Sequence, residues 1–517
     1  MGQMVVMRGR KAVTALVVAT VAVMVFGGCA TSEQTELVLP QAFASIETPG
    51  QVRSTPEHSL SPDGKYILAT MSDDGGAHLV LLQLGAEGST VIEIDSVGRN
   101  WLEQAFFSYQ PIGWISETRF LCAKVGWQPS GSNKDQRGVI LAVGDASTRS
   151  FEETAFIPLP SSGVRTLYVP DRAKAFVDCK TSIWEFDTVQ KSLRLVRTGL
   201  PDSPYLNPVP SPTGAYYVYP REDEGREGLY ILDTATGEER TLMPNGETRS
   251  FYPSWSFDGK YIAVYTVGRK PGAAGTTWHS YDVFEGEDMA QPVGQAITVL
   301  DPQGKVVSSI KVEGKYVTSF LWAGNAHNIA LMAGTRQPRV GPPSISTDSL
   351  WMTRIGGTGQ SVPRTLAVIP KNASGGFLTA HAVAFDVAGE GVYYDVYEKG
   401  VWYARESAEP VRVAEGSWWG AWAPDAPRPV IWDGVVALVD EAGPKRGLYL
   451  MSDGTGIRFA EHPRTRVWVL AYDKSRLVIF AGSPVPQYPG PGHVIAYSVP
   501  AMPFPKTQQK ATSAPHE

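Results

Sequence analysis

Hydrophobic residues recur in one pattern along this chain from about residue 57 onwards. A large apolar residue is followed three positions later by an acidic or turn-forming residue, often with glycine next, and then by an apolar run. The clearest copies are residues 60–67, LSPDGKYI, and residues 255–262, WSFDGKYI. Asp-Gly between two apolar runs predicts a tight hairpin, because both central positions of such a turn need positive φ, which these residues tolerate.

Weaker copies extend the pattern over almost the whole chain. They begin at Trp114, Tyr168, Pro210, Trp322, Phe385, Trp422 and Leu470. The nine candidates start 37 to 67 residues apart, a spacing that suits the four-stranded blade of a β-propeller. A further apolar strand follows most copies, clearest at residues 228–233 and again at 79–82, 182–186, 297–300, 350–352 and 448–450. Such continuously apolar runs are typical of strands buried on both faces.

The sequence therefore predicts an all-β fold, a single β-propeller of four-stranded blades. Propellers usually have four to eight blades, so we expect eight, with seven and nine as alternatives. The last repeat, residues 467–497, lacks a fourth strand. Either residues 36–39 or residues 43–46 should supply it and close the ring, which removes an exposed strand edge. Deleting residues 36–46 should then destabilise the whole ring.

The best copies resemble repeats of a known type. Ser-Pro-Asp-Gly-Lys at residues 61–65, Trp-Ser-Phe-Asp-Gly-Lys at 255–260 and Leu-Tyr-Ile-Leu-Asp at 229–233 are similar to the TolB-type, WD40-like propeller repeats, which also occur in prolyl oligopeptidase-type enzymes. The resemblance implies a fold and favours a protein partner. Because such repeats describe packing rather than chemistry, we interpret the recurring tryptophans as core residues: Trp114, Trp255, Trp322 and Trp422.

The amino terminus predicts export from the cytoplasm. Arg8, Arg10 and Lys11 precede an uncharged run at residues 12–28, which is typical of a signal peptide. Val-Phe-Gly-Gly-Cys at residues 25–29 resembles a bacterial lipobox, which implies lipidation of Cys29, although Phe26 replaces the usual aliphatic residue. An uncleaved signal anchor is the alternative. Either interpretation makes the protein extracytoplasmic, and lipidation would anchor it to a bacterial membrane, without indicating which one.

These features divide the chain into four parts. Residues 1–28 form the signal peptide, residues 29–36 the lipidated Cys29 with a short tether, and residues 37–499 the propeller. Residues 500–517 are rich in Pro, Thr, Lys and Gln, which predicts a disordered tail.

Composition narrows the class of ligand. The chain has 517 residues with 46 basic and 52 acidic side chains, a net charge of −6. Nucleic-acid binding needs concentrated positive charge, so no nucleic-acid partner is expected.

Long connections on one face of the predicted propeller are candidates for binding. They span residues 126–137, 268–296, 333–347 and 483–492, and long loops on a rigid scaffold commonly carry function. They contain aromatic residues of the kind that dominate binding interfaces: Trp127, Trp278, Tyr281, Phe284 and Tyr488. Glu285, Glu287 and Asp288 form no oxygen-ligand loop motif, so no metal is predicted.

Known catalytic motifs are missing from the sequence. It has no Gly-x-Ser-x-Gly, His-Glu-x-x-His, Cys-x-x-Cys, phosphate loop or dinucleotide fingerprint, so no cofactor is predicted. The eight histidines share no ligand-like spacing. Cys122 and Cys179 fall on equivalent strands of adjacent blades, whose ~10 Å separation exceeds that of a disulfide, so two buried free thiols are expected.

Three functions remain, of which one is a purely structural or sensor component whose partner contacts the rim of the propeller. The first is a non-catalytic, membrane-tethered propeller that binds an envelope protein, peptide or glycan through its long loops. The alternative is an enzyme of unknown class with its active site in the central channel, where side chains from several blades meet although they are distant in sequence. A channel lined by converging carboxylates or histidines would favour the enzyme.

Overall fold

The computed structural model describes residues 41–498 except 86–87, 99–107, 128–136, 159–163, 180, 201–207, 224–225, 244–247, 269–294, 325–326, 338–343, 357–361, 370–379, 398, 419–429, 432–433, 442–444, 464–466, 474 and 483–490. Residues 38–504 form one compact unit. The second unit consists of residues 1–37, which include Cys29, and residues 505–517. It lies outside the described residues. In the described part of the chain, no helix has both the length and the apolar character needed to cross a membrane.

The described residues form nine antiparallel sheets, each the blade of a propeller. The chain enters through β1 (Gln41–Thr48), and the strands of the first four blades then follow in order. Blade 1 contains β2 (Gln51–Arg53), β3 (Tyr66–Asp73), β4 (Gly76–Gln83) and β5 (Thr90–Gly98). Blade 2 contains β6 (Ser108–Trp114), β7 (Arg119–Trp127), β8 (Arg137–Asp145) and β9 (Ser150–Pro158). Blade 3 contains β10 (Arg165–Val169), β11 (Lys174–Asp178), β12 (Ser182–Asp187) and β13 (Ser192–Thr198), with a short 3-10 helix at Pro170–Arg172. Blade 4 contains β14 (Val209–Pro210), β15 (Tyr216–Asp223), β16 (Arg226–Asp233) and β17 (Glu239–Met243).

The remaining five blades repeat this arrangement. Blade 5 contains β18 (Thr248–Trp255), β19 (Ile262–Gly268), β20 (Ala296–Leu300) and β21 (Val306–Lys311). Blade 6 contains β22 (Tyr316–Trp322), β23 (Asn328–Gln337), β24 (Ser344–Arg354) and β25 (Arg364–Val368). Blade 7 contains β26 (Ala380–Phe385), β27 (Gly391–Val396), β28 (Gly400–Arg405) and β29 (Val411–Ala414). Blade 8 contains β30 (Ser417–Trp418), β31 (Val430–Ile431), β32 (Gly434–Asp440), β33 (Lys445–Ser452) and β34 (Thr455–Pro463). Blade 9 contains β35 (Val467–Tyr472), β36 (Arg476–Gly482) and β37 (Gly492–Ser498).

Blade count is where the sequence prediction is wrong in detail. We expected eight blades, with seven and nine as alternatives, but the described residues form nine sheets. Eight was chosen because nine exceeds the usual range, yet eight of the nine repeat candidates fall in or beside a blade of their own. The copy at residues 422–425 itself lies outside the described residues.

The hydrophobic core lies between the blades. Nine clusters of buried side chains are found, one at each interface between neighbouring sheets. The second and third strands supply most of these side chains, such as Leu79, Leu81 and Val80 on β4, each 0% exposed. Burial on both faces explains why these strands read as continuous apolar runs.

The ring closes through its first and last strands. β1 pairs antiparallel with β37 from Gln41–Ser498 to Thr48–Gly492, so the amino-terminal strand completes blade 9. This confirms the closure predicted for residues 43–46, whereas residues 36–39 lie outside the described part. Ile46 is 6% exposed and packs in the cluster between blades 9 and 1 with Val494 and Phe480.

Trp114, Trp255 and Trp322 are core residues, as predicted, and they also join adjacent inner strands. Trp422 lies outside the described residues. The indole N–H of Trp114 donates to the Ser59 carbonyl at 2.7 Å, and that of Trp322 to the Ser254 carbonyl at 3.3 Å. Trp255 donates in the same direction to Val209, at 3.1 Å. Each bond satisfies a polar atom that burial would otherwise leave without a partner.

The Asp-Gly turns differ from the prediction in one respect. Gly64 has φ +70°, but Asp63 does not have positive φ. Instead, the Gly64 N–H donates to the Ser61 carbonyl at 2.7 Å, and the Ser61 hydroxyl donates to the Asp63 carboxylate at 2.7 Å. A four-residue turn with glycine alone in the left-handed region therefore replaces the two-residue turn. Ser256 and Asp258 form the same contact, at 2.8 Å.

Both internal cysteines are free and buried, as predicted. Cys122 packs between blades 1 and 2 and Cys179 between blades 2 and 3. Burial raises the pKa of Cys179 to about 12, which makes this thiol unreactive at neutral pH.

Ring closure can be tested on β1 alone. Ile46→Ala removes a buried side chain and should lower the free energy of unfolding by about 2–4 kcal/mol. Phe43→Ala, on the same strand but 37% exposed, should cost less than about 1 kcal/mol. Urea unfolding measures both. Equal effects of the two substitutions would show that β1 does not close the ring through its buried face.

Candidate functional site

The first strand of each blade lines the central channel. First strands of neighbouring blades are in direct contact, as the Trp322 bond to Ser254 shows. Fourth strands instead carry mostly exposed residues. In β13, for example, Ser192 and Arg194 are exposed and Arg197 is half-buried. The nine first strands are therefore the inner strands, and their free edges face the channel.

Blade 1 has an unusual inner strand. Arg53 pairs with Thr70, and the next pair is Leu60 with Ile67. Between these pairs the inner strand advances seven residues and the second strand three, so the inner strand has four residues in excess. Blades 2, 5, 6, 7 and 9 have an excess of only one residue, an ordinary β-bulge. Blade 8 has an excess of eight between the pairs Trp418–Val439 and Val430–Val435, but the intervening residues 419–429 lie outside the described structure.

The excess residues form a turn at the edge of the channel. The His58 N–H donates to the Thr55 carbonyl at 3.0 Å, and we call residues 55–58 the channel turn. The second strand already occupies the other side of the inner strand, so the turn has room only towards the axis. The turn presents Glu57, which is exposed, and His58, which is half-buried.

Hydroxyl groups fix the channel turn to both neighbouring blades. Ser54 and Ser59, which flank the turn, both donate to the Leu470 carbonyl of blade 9, at 2.5 and 2.6 Å. Thr55 donates to the Pro111 carbonyl of blade 2 at 3.1 Å. Three bonds to two blades hold the turn rigidly, which is what a preorganised site requires.

His58 reaches beyond the neighbouring blade. The centre of its ring lies 6.4 Å from the centre of the Tyr168 ring, in an edge-to-face arrangement, although Tyr168 belongs to blade 3. Gly113 of blade 2 leaves this space open, since a Cβ there would lie 2.8 Å from the Tyr168 ring and 3.3 Å from the His58 Cβ. Blades separated by a third blade approach each other only near the axis, so His58 lies on the channel side.

The pKa values of Glu57 and His58 are shifted in opposite directions. Surrounding protein excludes solvent and raises the pKa of the Glu57 carboxyl, against a smaller opposing effect of a backbone hydrogen bond. The same solvent exclusion lowers the pKa of the His58 imidazole. The Glu57 charge also contributes, after burial, to a raised pKa of Tyr472 in blade 9. In both residues, solvent exclusion therefore shifts the pKa in the direction that disfavours the charged form.

A second titratable pair lies at the other end of the inner strands. His381, the second residue of β26, is exposed and directly opposite Asp395, which is 8% exposed. Asp395 accepts the backbone N–H of Trp418 in blade 8 at 3.1 Å, and burial raises its pKa to about 6. Burial lowers the pKa of His381. This carboxylate links blades 7 and 8.

The predicted binding residues lie largely outside the described structure. Trp127 is the last residue of β7, with its side chain outside the description. Trp278, Tyr281, Phe284 and Tyr488 lie outside it entirely. Glu285, Glu287 and Asp288 are also outside it, and among the residues that the structure does describe no group of three potential ligands is arranged to hold a metal.

Sequence reasoning did not single out the channel turn. Residues 55–58 read Thr-Pro-Glu-His, and proline followed by polar residues indicates a turn. That signal does not reveal that the turn interrupts an inner strand, because the excess of four residues is defined only by the pairing with β3.

Comparison with known proteins supports the fold. No known protein family and no curated protein matches the chain. Among solved structures, it is similar to the C-terminal WD40 domain of Sif2, at 6% identity and a TM-score of 0.41 over 90% of this chain and 99% of that one. It is also similar to an oligogalacturonate lyase from Vibrio parahaemolyticus, at 11% identity and a TM-score of 0.38 over 88% and 99%. It is similar to the tricorn protease at 12% identity and a TM-score of 0.34. This match covers 80% of this chain but only 40% of that one.

The nine sheets of the described residues form a WD40-like β-propeller, and the first functional expectation is corrected as follows. We expected a non-catalytic protein that binds an envelope protein, peptide or glycan. Lyases and proteases are among the structures with this architecture, so the fold gives no reason to exclude catalysis, and the non-catalytic interpretation is withdrawn. The channel turn has the carboxylate and histidine that the alternative requires.

The raised pKa of Glu57 predicts a stability effect with a definite sign. The folded protein binds the Glu57 proton more tightly than the unfolded chain, so this stabilisation is complete below about pH 4.5 and is lost as pH rises. Glu57→Gln should therefore raise the melting temperature at pH 7, and the gain should shrink near pH 4. Glu47→Gln, which replaces an exposed carboxyl on β1, is the control. A gain that is the same at both pH values would contradict the prediction.

Proposed function

We propose that this protein is an enzyme that performs acid–base chemistry in the central channel, with Glu57 and His58 as the catalytic residues. The observation that carries the proposal is the four-residue channel turn, which places a carboxyl and an imidazole side by side at the channel edge. Blade 1 carries the inner-strand insertion whose residues the structure describes, and this insertion brings a carboxyl and an imidazole to the channel edge.

The environment of the two side chains suits proton transfer. General acids and bases work best when their pKa lies near the working pH. A Glu57 with raised pKa keeps a proton to higher pH and suits the general acid, whereas a His58 with lowered pKa is neutral and suits the general base. The Tyr168 ring orients His58, and the hydroxyls of Ser54 and Ser59 fix the turn.

Glu57 and His58 together support cleavage by proton abstraction or by water activation. Both reactions need one group to take a proton and one to donate a proton to the leaving group. Because Glu57 and His58 are consecutive residues of one turn, the bond to be cleaved would lie against the turn, within reach of both side chains. The reaction class is therefore acid–base cleavage, either elimination or hydrolysis.

Catalysis can be tested without a known substrate. An envelope extract is incubated with the wild-type protein or with Glu57→Gln, and converted compounds are identified by mass spectrometry. General acid–base catalysis contributes roughly 10²–10⁴-fold, so conversion by Glu57→Gln should fall at least a hundredfold, as should conversion by His58→Asn. Glu47→Gln should retain activity. Equal conversion by all variants, or no conversion by the wild-type protein, would contradict the proposal.

We also propose that the propeller is of the TolB type and is held on the outside of a bacterial membrane by lipid attached to Cys29. The support comes from the sequence alone: the basic residues before residue 12, the uncharged run and the Gly-Gly-Cys end at residues 27–29. Two or more acyl chains give stable anchoring.

Anchoring has a direct readout. In detergent phase separation of whole cells that express the protein, the wild-type chain should enter the detergent phase, whereas Cys29→Ser should remain in the aqueous phase. Cys179→Ser, which removes a buried thiol instead, should behave as the wild type. Detergent partition of Cys29→Ser would show that lipidation at this residue is not the anchor.

A further inference from the structure

The interface between blades 8 and 9 contains a buried histidine. His462 lies near the end of β34, the outer strand of blade 8, and is 8% exposed. Its Nε2 atom lies 2.8 Å from the hydroxyl oxygen of Tyr497, which is on β37 of blade 9 and 5% exposed. The Phe459 ring of β34 packs edge to face on Tyr497, with 5.6 Å between the ring centres. Tyr497 also pairs with Ala42 of β1, the strand that closes the ring, so we call this contact between β34 and β37 the closing seam.

The imidazole of His462 belongs to a row of side chains whose charges already balance. Arg446 of β33 is directly opposite His462, and Asp440 of β32 is directly opposite Arg446. Residues directly opposite each other in an antiparallel sheet share one face, so all three side chains are on the face that meets blade 9. Arg446 donates through Nε to the Asp440 carboxylate at 3.1 Å, and these side chains are 6% and 9% exposed. A proton on His462 would add a second positive charge to a buried row that holds one negative charge.

The other titratable groups around the closing seam, in the part of the chain that is described, are paired with each other, exposed or phenolic. They are Glu461 with Lys445 and Arg458 on blade 8, and on blade 9 Arg476 with Asp473, the exposed Glu47 and His493, and Tyr472. Burial lowers the pKa of His462 to about 4, and the charge of Glu461 opposes this effect only in part. The folded closing seam therefore holds a neutral imidazole at neutral pH.

We propose that the closing seam is an acid-sensitive switch: a proton on His462 weakens the contact between blades 8 and 9 and opens the closing blade before the rest of the ring. A buried imidazolium beside Arg446 has no free counter-charge among the described residues, so it gains solvation when β34 separates from Tyr497. Blade 9 responds first because its outer strand, β1, comes from the opposite end of the chain. The open state binds the proton more readily, so the stabilisation is complete above about pH 6.5 and is lost as pH falls towards 4. This inference concerns the scaffold and does not depend on catalysis in the channel.

Hydrogen exchange of backbone amides in the full-length protein measures this local opening. Protection factors, which are corrected for the pH dependence of the exchange chemistry, are compared at pH 7 and pH 5. With a histidine pKa of 6.5 in the open state and about 4 in the closed state, the opening equilibrium of β36, β37 and β1 should rise roughly twentyfold at pH 5. Blade 4 contains no histidine, so β15 and β16 should keep their protection in the same sample.

Matched variants assign the response to His462. His462→Gln keeps a side chain that can bond to the Tyr497 hydroxyl but cannot be protonated, so its blade 9 should have the same protection at both pH values. His493→Gln removes an exposed histidine from the same strand as Tyr497 and should retain the wild-type response. The comparison of blades 9 and 4 in the wild-type protein needs no variant, so it holds even where His462→Gln does not fold. Equal loss of protection in the two blades, no loss in blade 9, or an undiminished response of His462→Gln would overturn the inference.

Discussion

The whole structure depends on burial of both faces of every sheet between neighbouring blades. A four-stranded sheet that is apolar on both faces cannot exist alone in water, and each of the nine clusters draws side chains from two blades. A sheet at the end of an open row would expose one face, so the ring must close. β1 performs this closure by pairing with β37, and the amino-terminal strand thereby holds the last blade as well as the first.

The same constraint decides where chemistry can occur. The faces of the blades are filled by core side chains and the outer strands face solvent on a convex surface, so the inner strands and the loops are the remaining places for a concave site. An insertion in an inner strand has only one direction open to it, because the second strand occupies the other. The channel turn therefore projects Glu57 and His58 into the channel as a consequence of packing, and the hydroxyls of Ser54, Thr55 and Ser59 tie it to carbonyls of blades 9 and 2.

The fold could be predicted largely from the sequence, whereas the site could not. Local signals identified the third strands at residues 79–82 and 182–186 and the core position of Trp255, because each depends on a short stretch of the chain and its apolar pattern. They also gave the strand around Ile46 as one of two candidates for ring closure. The favoured blade count was one too low, because nine repeats exceed the usual four to eight blades and one weak copy was therefore discounted. The contact between His58 and Tyr168 joins blades 1 and 3 across Gly113. These two residues are 110 positions apart in the sequence, so no local pattern can reveal their contact.

Glu57 shows why the site and the scaffold have opposite requirements. The scaffold is stable because polar atoms near the core find partners, as the indole of Trp114 does with the Ser59 carbonyl. A carboxyl that is crowded enough to have a raised pKa but exposed to the channel makes the folded state less favourable at neutral pH. Residues that serve packing alone are selected for the opposite behaviour, and functional sites are where such costs are retained. The rigid ring, closed at nine interfaces, is what allows one unfavourable turn to persist at its centre.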